Sequence, residues 1–213
     1  MKKLFFILLS LSVAAGLFAV ITGSAHDFQG LAWNDDGVAS ATEEICKACH
    51  IPHNAQLLSD APLWNHDLSV AAYTVYAGYD MQSTPADPPT GISALCLSCH
   101  DGTVALNAFG NNTYAGADVF ATGAALVGTD LQNDHPVSID MAVAEAGDAE
   151  IHDPVVDTTP LGGTISADLL GGGTLVECSA CHDVHATGAS ATNGNLLRIS
   201  NAASALCLTC HDK

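Results

Sequence analysis

The spacing Cys-x-x-Cys-His occurs four times, at Cys46–His50, Cys96–His100, Cys178–His182 and Cys207–His211, and these motifs use all eight cysteines of the 213-residue chain. Two thiols three apart followed at once by an imidazole form the covalent attachment pattern of a c-type haem. The thiols add to two vinyl groups of one porphyrin, so they must lie on one side of a tight turn. The next residue then places an imidazole under the iron as the proximal ligand. A single C-x-x-C could instead be a zinc knuckle or a redox dithiol, and eight exported cysteines could be four disulfides. Neither alternative needs a histidine after every second cysteine. Ten of the 213 residues are His, so four coincidences have a chance on the order of 10⁻⁵ if the cysteine pairs are taken as given. Four covalently bound haem c groups are the expectation, with Cys46, Cys49, Cys96, Cys99, Cys178, Cys181, Cys207 and Cys210 as attachment points. His50, His100, His182 and His211 would be the proximal ligands.

The N-terminus agrees with that chemistry. Lys2 and Lys3 precede an apolar run from Leu4 to Thr22, which ends in Gly23-Ser24-Ala25. This pattern predicts a secretory signal peptide over residues 1–25, cut after Ala25. Left uncut, the run is long enough to span a membrane, but cleavage is the favoured reading and no permanent membrane anchor is expected. Loss of the signal leaves Lys47, Arg198 and Lys213 as the only Lys or Arg against 23 carboxylates. Such a surface repels nucleic acid and suits solubility or contact with cations and metal-bearing surfaces.

Residues 26–213 are too few to surround four macrocycles with a conventional core. The fold expected is mostly irregular and loop-rich, with short α-helices and few short strands, wrapped around a chain of stacked haems. It reads as a single tetrahaem domain in which a di-haem module (26–110), a cysteine-free wrapping segment (111–177) and a second di-haem module (178–213) follow one another. The motifs alternate between two kinds. Cys46–His50 and Cys178–His182 each carry a further histidine three residues on, at His53 and His185. Ser93–Asp101 (SALCLSCHD) and Ser204–Asp212 (SALCLTCHD) are nearly identical. A di-haem module used twice is the reading. The second kind sits on Ser-Ala-Leu sequence suited to one or two helical turns, Ala41–Glu44 offers a helix start before the first motif, and short strands are expected around Thr164–Leu170 and Thr174–Glu177. Trp64, Tyr73, Tyr76 and Tyr79 are available to pack on haem faces or to form a small local core.

Six histidines remain for the distal positions, against two methionines, Met81 and Met141, beyond the signal. That supply favours two imidazoles on every iron, which closes both axial positions and gives a low potential. Such a centre relays electrons and is not an enzyme's open iron. His53 and His185 cannot easily reach the opposite face of their own haem and are expected to serve an adjacent one. His135, in Asn133-Asp134-His135-Pro136-Val137, is the third distal candidate. His26 and His66 are both candidates for the fourth, with His26 preferred. His152, flanked by carboxylates, reads as a surface histidine.

Several stretches form an ordered set: Cys49-His50-Ile51-Pro52-His53-Asn54, Ala61-Pro62-Leu63-Trp64-Asn65, Cys96–Ala105, Asn133–Val137 and the terminal Cys210-His211-Asp212-Lys213. Together they resemble the tetrahaem c-type cytochromes of metal-reducing bacteria, in particular the OmcE-type extracellular cytochrome nanowire proteins. The resemblance spans nearly the whole of residues 26–213. It implies bis-His haems in a continuous stack, little regular secondary structure, and polymerisation in which one axial histidine is given to the neighbouring subunit. By motif position that donor is His53, reaching the haem held by His211 of the next copy. The function expected is electron transfer along four closely packed haems, as a secreted extracellular filament that meets other multihaem cytochromes or extracellular metal acceptors. A monomeric periplasmic shuttle is the alternative, a multihaem reductase a further one, and a membrane-anchored quinol oxidase component a third should the N-terminal segment stay uncut.

Overall fold

A computed structural model describes residues 21–34, 45–59, 61–185, 187, 190 and 192–213. Most of the expected signal peptide and the expected helix start at Ala41–Glu44 lie outside the described residues. The described chain is loop-rich, with few short helices and strands. Its helices are α1 (Gly91–His100), α2 (Met141–Gly147), α3 (Ile165–Leu169), α4 (Cys178–Cys181) and α5 (Ala205–Cys210). Three 3₁₀ turns join them, at Gly123–Ala125, Gly194–Leu196 and Ala202–Ser204. Strands β1 (Ile139–Asp140) and β2 (Leu175–Val176) pair antiparallel, with Ile139 opposite Val176 and Asp140 opposite Leu175.

Local chemistry explains the elements. α2 starts because the Asp140 carboxylate accepts the N–H groups of Ala142 and Val143, an N-cap that satisfies donors with no intrahelical acceptor. Residues 165–169 are helical where a strand is expected from the sequence. The reason is Thr164, whose hydroxyl accepts the Ala167 N–H at 3.2 Å and starts a turn that the glycines at 171–173 end. The neighbouring expectation at Thr174–Glu177 corresponds to β2.

The apolar interior is divided into three small clusters, each set under a Cys-x-x-Cys-His motif. Met141, Ile165, Leu169, Ala180 and Ile199 form the largest, with Leu206 and Cys210 against it. It therefore supports the third and fourth motifs. Trp33, Ala48 and Phe109 form a second beneath the first motif. Ala61, Trp64 and Leu95 form a third, which touches Cys49 and joins the first motif to α1. Tyr79 is fully exposed, whereas Tyr73 donates its hydroxyl to Asp101 Oδ2 at 2.6 Å.

Candidate haem-binding sites

Each motif closes as one helical turn. The His50 N–H reaches the Cys46 carbonyl at 2.7 Å, His182 that of Cys178 at 3.0 Å and His211 that of Cys207 at 3.0 Å; the second motif is the C-terminal end of α1. Residues three apart on such a turn share a face, so each thiol pair lies on one side. All eight cysteines are free. Burial pushes the Cys49 thiol up to about 11 and the Cys99 thiol up to about 12. Among the described residues no group of three or more His, Cys, Asp and Glu converges as a metal cluster, as a closed zinc site would require.

Three of the four motif histidines are oriented by backbone carbonyls. His50 Nδ1 lies 2.8 Å from the Pro62 oxygen, His100 Nδ1 2.6 Å from that of Ala125 and His182 Nδ1 2.8 Å from that of Asn195. A carbonyl only accepts, so the proton sits on Nδ1 and the Nε2 lone pair is left bare. That is how a metal-binding imidazole is normally held. His135 Nδ1 makes the same kind of contact, 2.9 Å from the Pro136 oxygen.

Three motif histidines face a second imidazole. The His185 and His50 ring centres are 6.3 Å apart and their planes 19° from parallel. His26 stands 5.9 Å from His100, and His135 stands 6.3 Å from His211. Two imidazoles bonding one metal from opposite sides at about 2 Å per bond, with ring centres roughly 1 Å further back, would stand about 6 Å apart. All three spacings leave room for one iron. Burial above all, with the nearby His100 and His182, lowers His26 to about 4, so its ring is neutral at neutral pH. Its Nδ1 is buried without a hydrogen-bond partner, a costly state for a polar atom unless it takes up a ligand. Burial likewise lowers His211, helped by His135.

The other histidines are placed differently. His66 is 1 % exposed, with ring nitrogens 2.8 Å from the Asp67 oxygen and 3.1 Å from the Ala105 oxygen and Nε2 3.4 Å from the Cys99 sulfur; among the described residues it makes no ring contact with a motif histidine. His152 pairs with Asp157 at 3.5 Å. His53 is exposed on the loop after the first motif. The sequence reading assigns His53 of a neighbouring copy to the fourth motif, and within the chain it is His135 that stands by His211. His182 is near enough to His26 to lower its pKa, but among the described residues it makes no ring contact with another imidazole.

Two aspartates that directly follow motif histidines tie the loops behind them, a signal visible in Cys-His-Asp but not used above. Asp183 accepts the N–H groups of His185 (3.0 Å) and Thr187 (2.9 Å) and the hydroxyls of Thr187 and Ser190. This holds the loop that presents His185 to His50. Asp101 accepts from Tyr73 and Thr103 in the same way. Burial pushes both carboxyls up. For Asp101 the bonds from Ser69, Tyr73 and Thr103 outweigh it; for Asp183 those from Thr187 and His185 do so, with the charge of Arg198. Both end below the ordinary value. A carboxyl depressed in the fold adds stability above its unfolded value near 4, which is lost as pH falls through the folded value. Melting temperature should therefore drop steeply below about pH 4, and Asp101→Asn with Asp183→Asn should flatten that slope.

Residues 172–213 match the family of the doubled CXXCH motif. The match covers the third and fourth motifs. Such a paired motif suggests a multihaem c-type cytochrome of electron transfer, and CXXCH motifs indicate covalently bound haem c. No curated protein matches this chain. The free thiol pairs, the carbonyl-oriented imidazoles and the iron-sized ring spacings all fit that cofactor.

Proposed function

We propose that this chain is an exported electron-transfer protein carrying four haem c groups, each between two imidazoles, and that copies join end to end into an extracellular filament. The observation that carries the reading is the set of three opposed pairs, His50–His185, His100–His26 and His211–His135. Bound haem supplies reversible one-electron exchange between ferric and ferrous iron. The protein's own residues would anchor it through the thiol pairs, the Pro62, Ala125 and Asn195 carbonyls orient three of the motif imidazoles, and a second imidazole would supply a further nitrogen donor at three of the sites. With no methionine at these positions, the potentials are low.

The filament reading rests on the fourth motif histidine to be matched. His53 is exposed, and among the described residues neither it nor His182 makes a ring contact with another imidazole, although His182 is near enough to His26 to lower its pKa. A second copy donating His53 to the His182 site completes the set. The same feature favours one alternative: a chain that stays monomeric would keep an open position at His182, as a multihaem reductase requires. Electron microscopy and an absorption spectrum of one purified sample separate these. Filaments with an all-low-spin spectrum, lost together in His53→Ala, are expected. Single particles with a high-spin component would overturn the filament and move the assignment to the reductase.

A further inference from the structure

Glu177 and Ser93 join two motifs that lie 82 positions apart in sequence at their first cysteines (Cys96 and Cys178). The first turn of α1 exposes N–H groups with no intrahelical acceptor, and Thr90, its N-cap, makes no side-chain cap. Glu177 supplies the cap from elsewhere in the chain: its Oε2 accepts the Ser93 N–H at 3.1 Å. The favour is returned, because the Ser93 hydroxyl accepts the N–H of Cys178, the first residue of α4, at 3.0 Å. Within one helix, such mutual capping is a familiar device for fixing an N-terminus; here it runs between two helices. Ser138 closes the arrangement, donating to Glu177 Oε2 at 3.3 Å and accepting the Thr90 N–H at 3.0 Å.

The site is buried and closely fitted. Ser93 is 0 % and Glu177 9 % exposed. A Cβ at Gly91, whose φ is +56°, would come within 3.0 Å of Glu177 Oε1, so glycine is needed both for its backbone angle and for space. The carboxylate also sits at the positive end of the ten-residue α1, where a negative charge is stabilised. Cys96 follows Ser93 by one turn, and Cys178 is the residue whose N–H the Ser93 hydroxyl accepts.

We propose that the reciprocal Ser93–Glu177 clasp is the positioning device that sets the separation of the second and third haem attachment sites, and hence the electronic coupling between the groups they carry. The clasp acts through Cys96 and Cys178 and touches no reacting atom itself. The inference rests on the haem reading above.

The test uses the full haem-loaded protein and its Ser93→Ala, Glu177→Ala and Glu177→Gln variants. Soret-region circular dichroism is the readout, because exciton coupling between neighbouring haems falls with the cube of their separation. Glu177→Ala and Ser93→Ala should each change the shape and reduce the amplitude of the bisignate couplet, at unchanged haem content. Glu177→Gln keeps an amide oxygen for the Ser93 N–H and should keep the couplet. A purely stabilising contact would lower the melting temperature and leave the couplet alone, and that result overturns the proposal. Loss of the couplet in Glu177→Gln to the same extent as in Glu177→Ala would also overturn it. Should Glu177→Ala fail to mature, Ser93→Ala decides the matter, since it removes one hydroxyl only. Intact mass reports the underlying reading separately: a parent chain without added haem overturns that reading, whereas a fully loaded variant with an unchanged couplet overturns the clasp alone.

Discussion

Haem-loaded protein carrying His185→Ala is expected to gain a high-spin ferric signal at the first site that the parent should not show. The reason lies in the division of labour around that loop. His185 is bound into the Asp183 knot through its backbone N–H, which alanine retains, while its ring centre stands 6.3 Å from that of His50. The substitution therefore removes a donor and spares the loop that carried it. An iron with only the His50 nitrogen on one side and nothing on the other is five-coordinate and high-spin. Added imidazole should restore the low-spin signal, and His185→Met should keep the site low-spin while raising its potential, since a thioether ligand favours the ferrous state. An unchanged spectrum in His185→Ala would remove His185 from the ligand set. The same substitution at His135 should act on the fourth site, where it faces His211.

Ile165→Ala is expected to cost about 2–5 kcal/mol of stability, the range for truncating a buried aliphatic side chain that leaves a cavity. Ile165 is 0 % exposed and sits among Met141, Leu169, Ala180 and Ile199. Ala180 lies between Cys178 and Cys181, and Leu206 and Cys210 pack on the same cluster, so the damage should be confined to one half of the molecule. Hydrogen exchange should accelerate around residues 175–211 and stay slow around Trp64 and Leu95, which belong to a different cluster. Leu57→Ala, at a fully exposed position, should change stability by no more than about 0.5 kcal/mol. Uniform acceleration across all three clusters would show that the small cores unfold as one unit.

The attachment motifs were legible because covalent chemistry leaves a fixed local spacing: two thiols and an imidazole within five residues. The loop-rich architecture was legible for a related reason, since few long periodic runs exist to bury. The helical nature of 165–169 was not, because a single Thr164 hydroxyl decided it against residues that suit a strand. Pairings between distant segments were legible only as an inventory. Six spare histidines could be counted, but nothing local says that His185 turns towards His50, that His135 comes to His211, or that His26 and not His66 stands by His100. Those depend on loop closures of tens of residues, held by Asp183, by the Pro136 turn and by the clusters beneath the motifs. The orienting carbonyls of Pro62, Ala125 and Asn195 were invisible for the same reason, being backbone atoms whose role exists only in the folded chain.

Near-infrared magnetic circular dichroism of the ferric, haem-loaded protein tests the central claim most directly, because the charge-transfer band of each low-spin haem reports its pair of axial ligands. Three opposed imidazole pairs within the chain and the proposed His53–His182 pair between copies predict bis-histidine bands alone in the assembled protein. A histidine–methionine band, or a persistent high-spin band in filaments, would contradict the account.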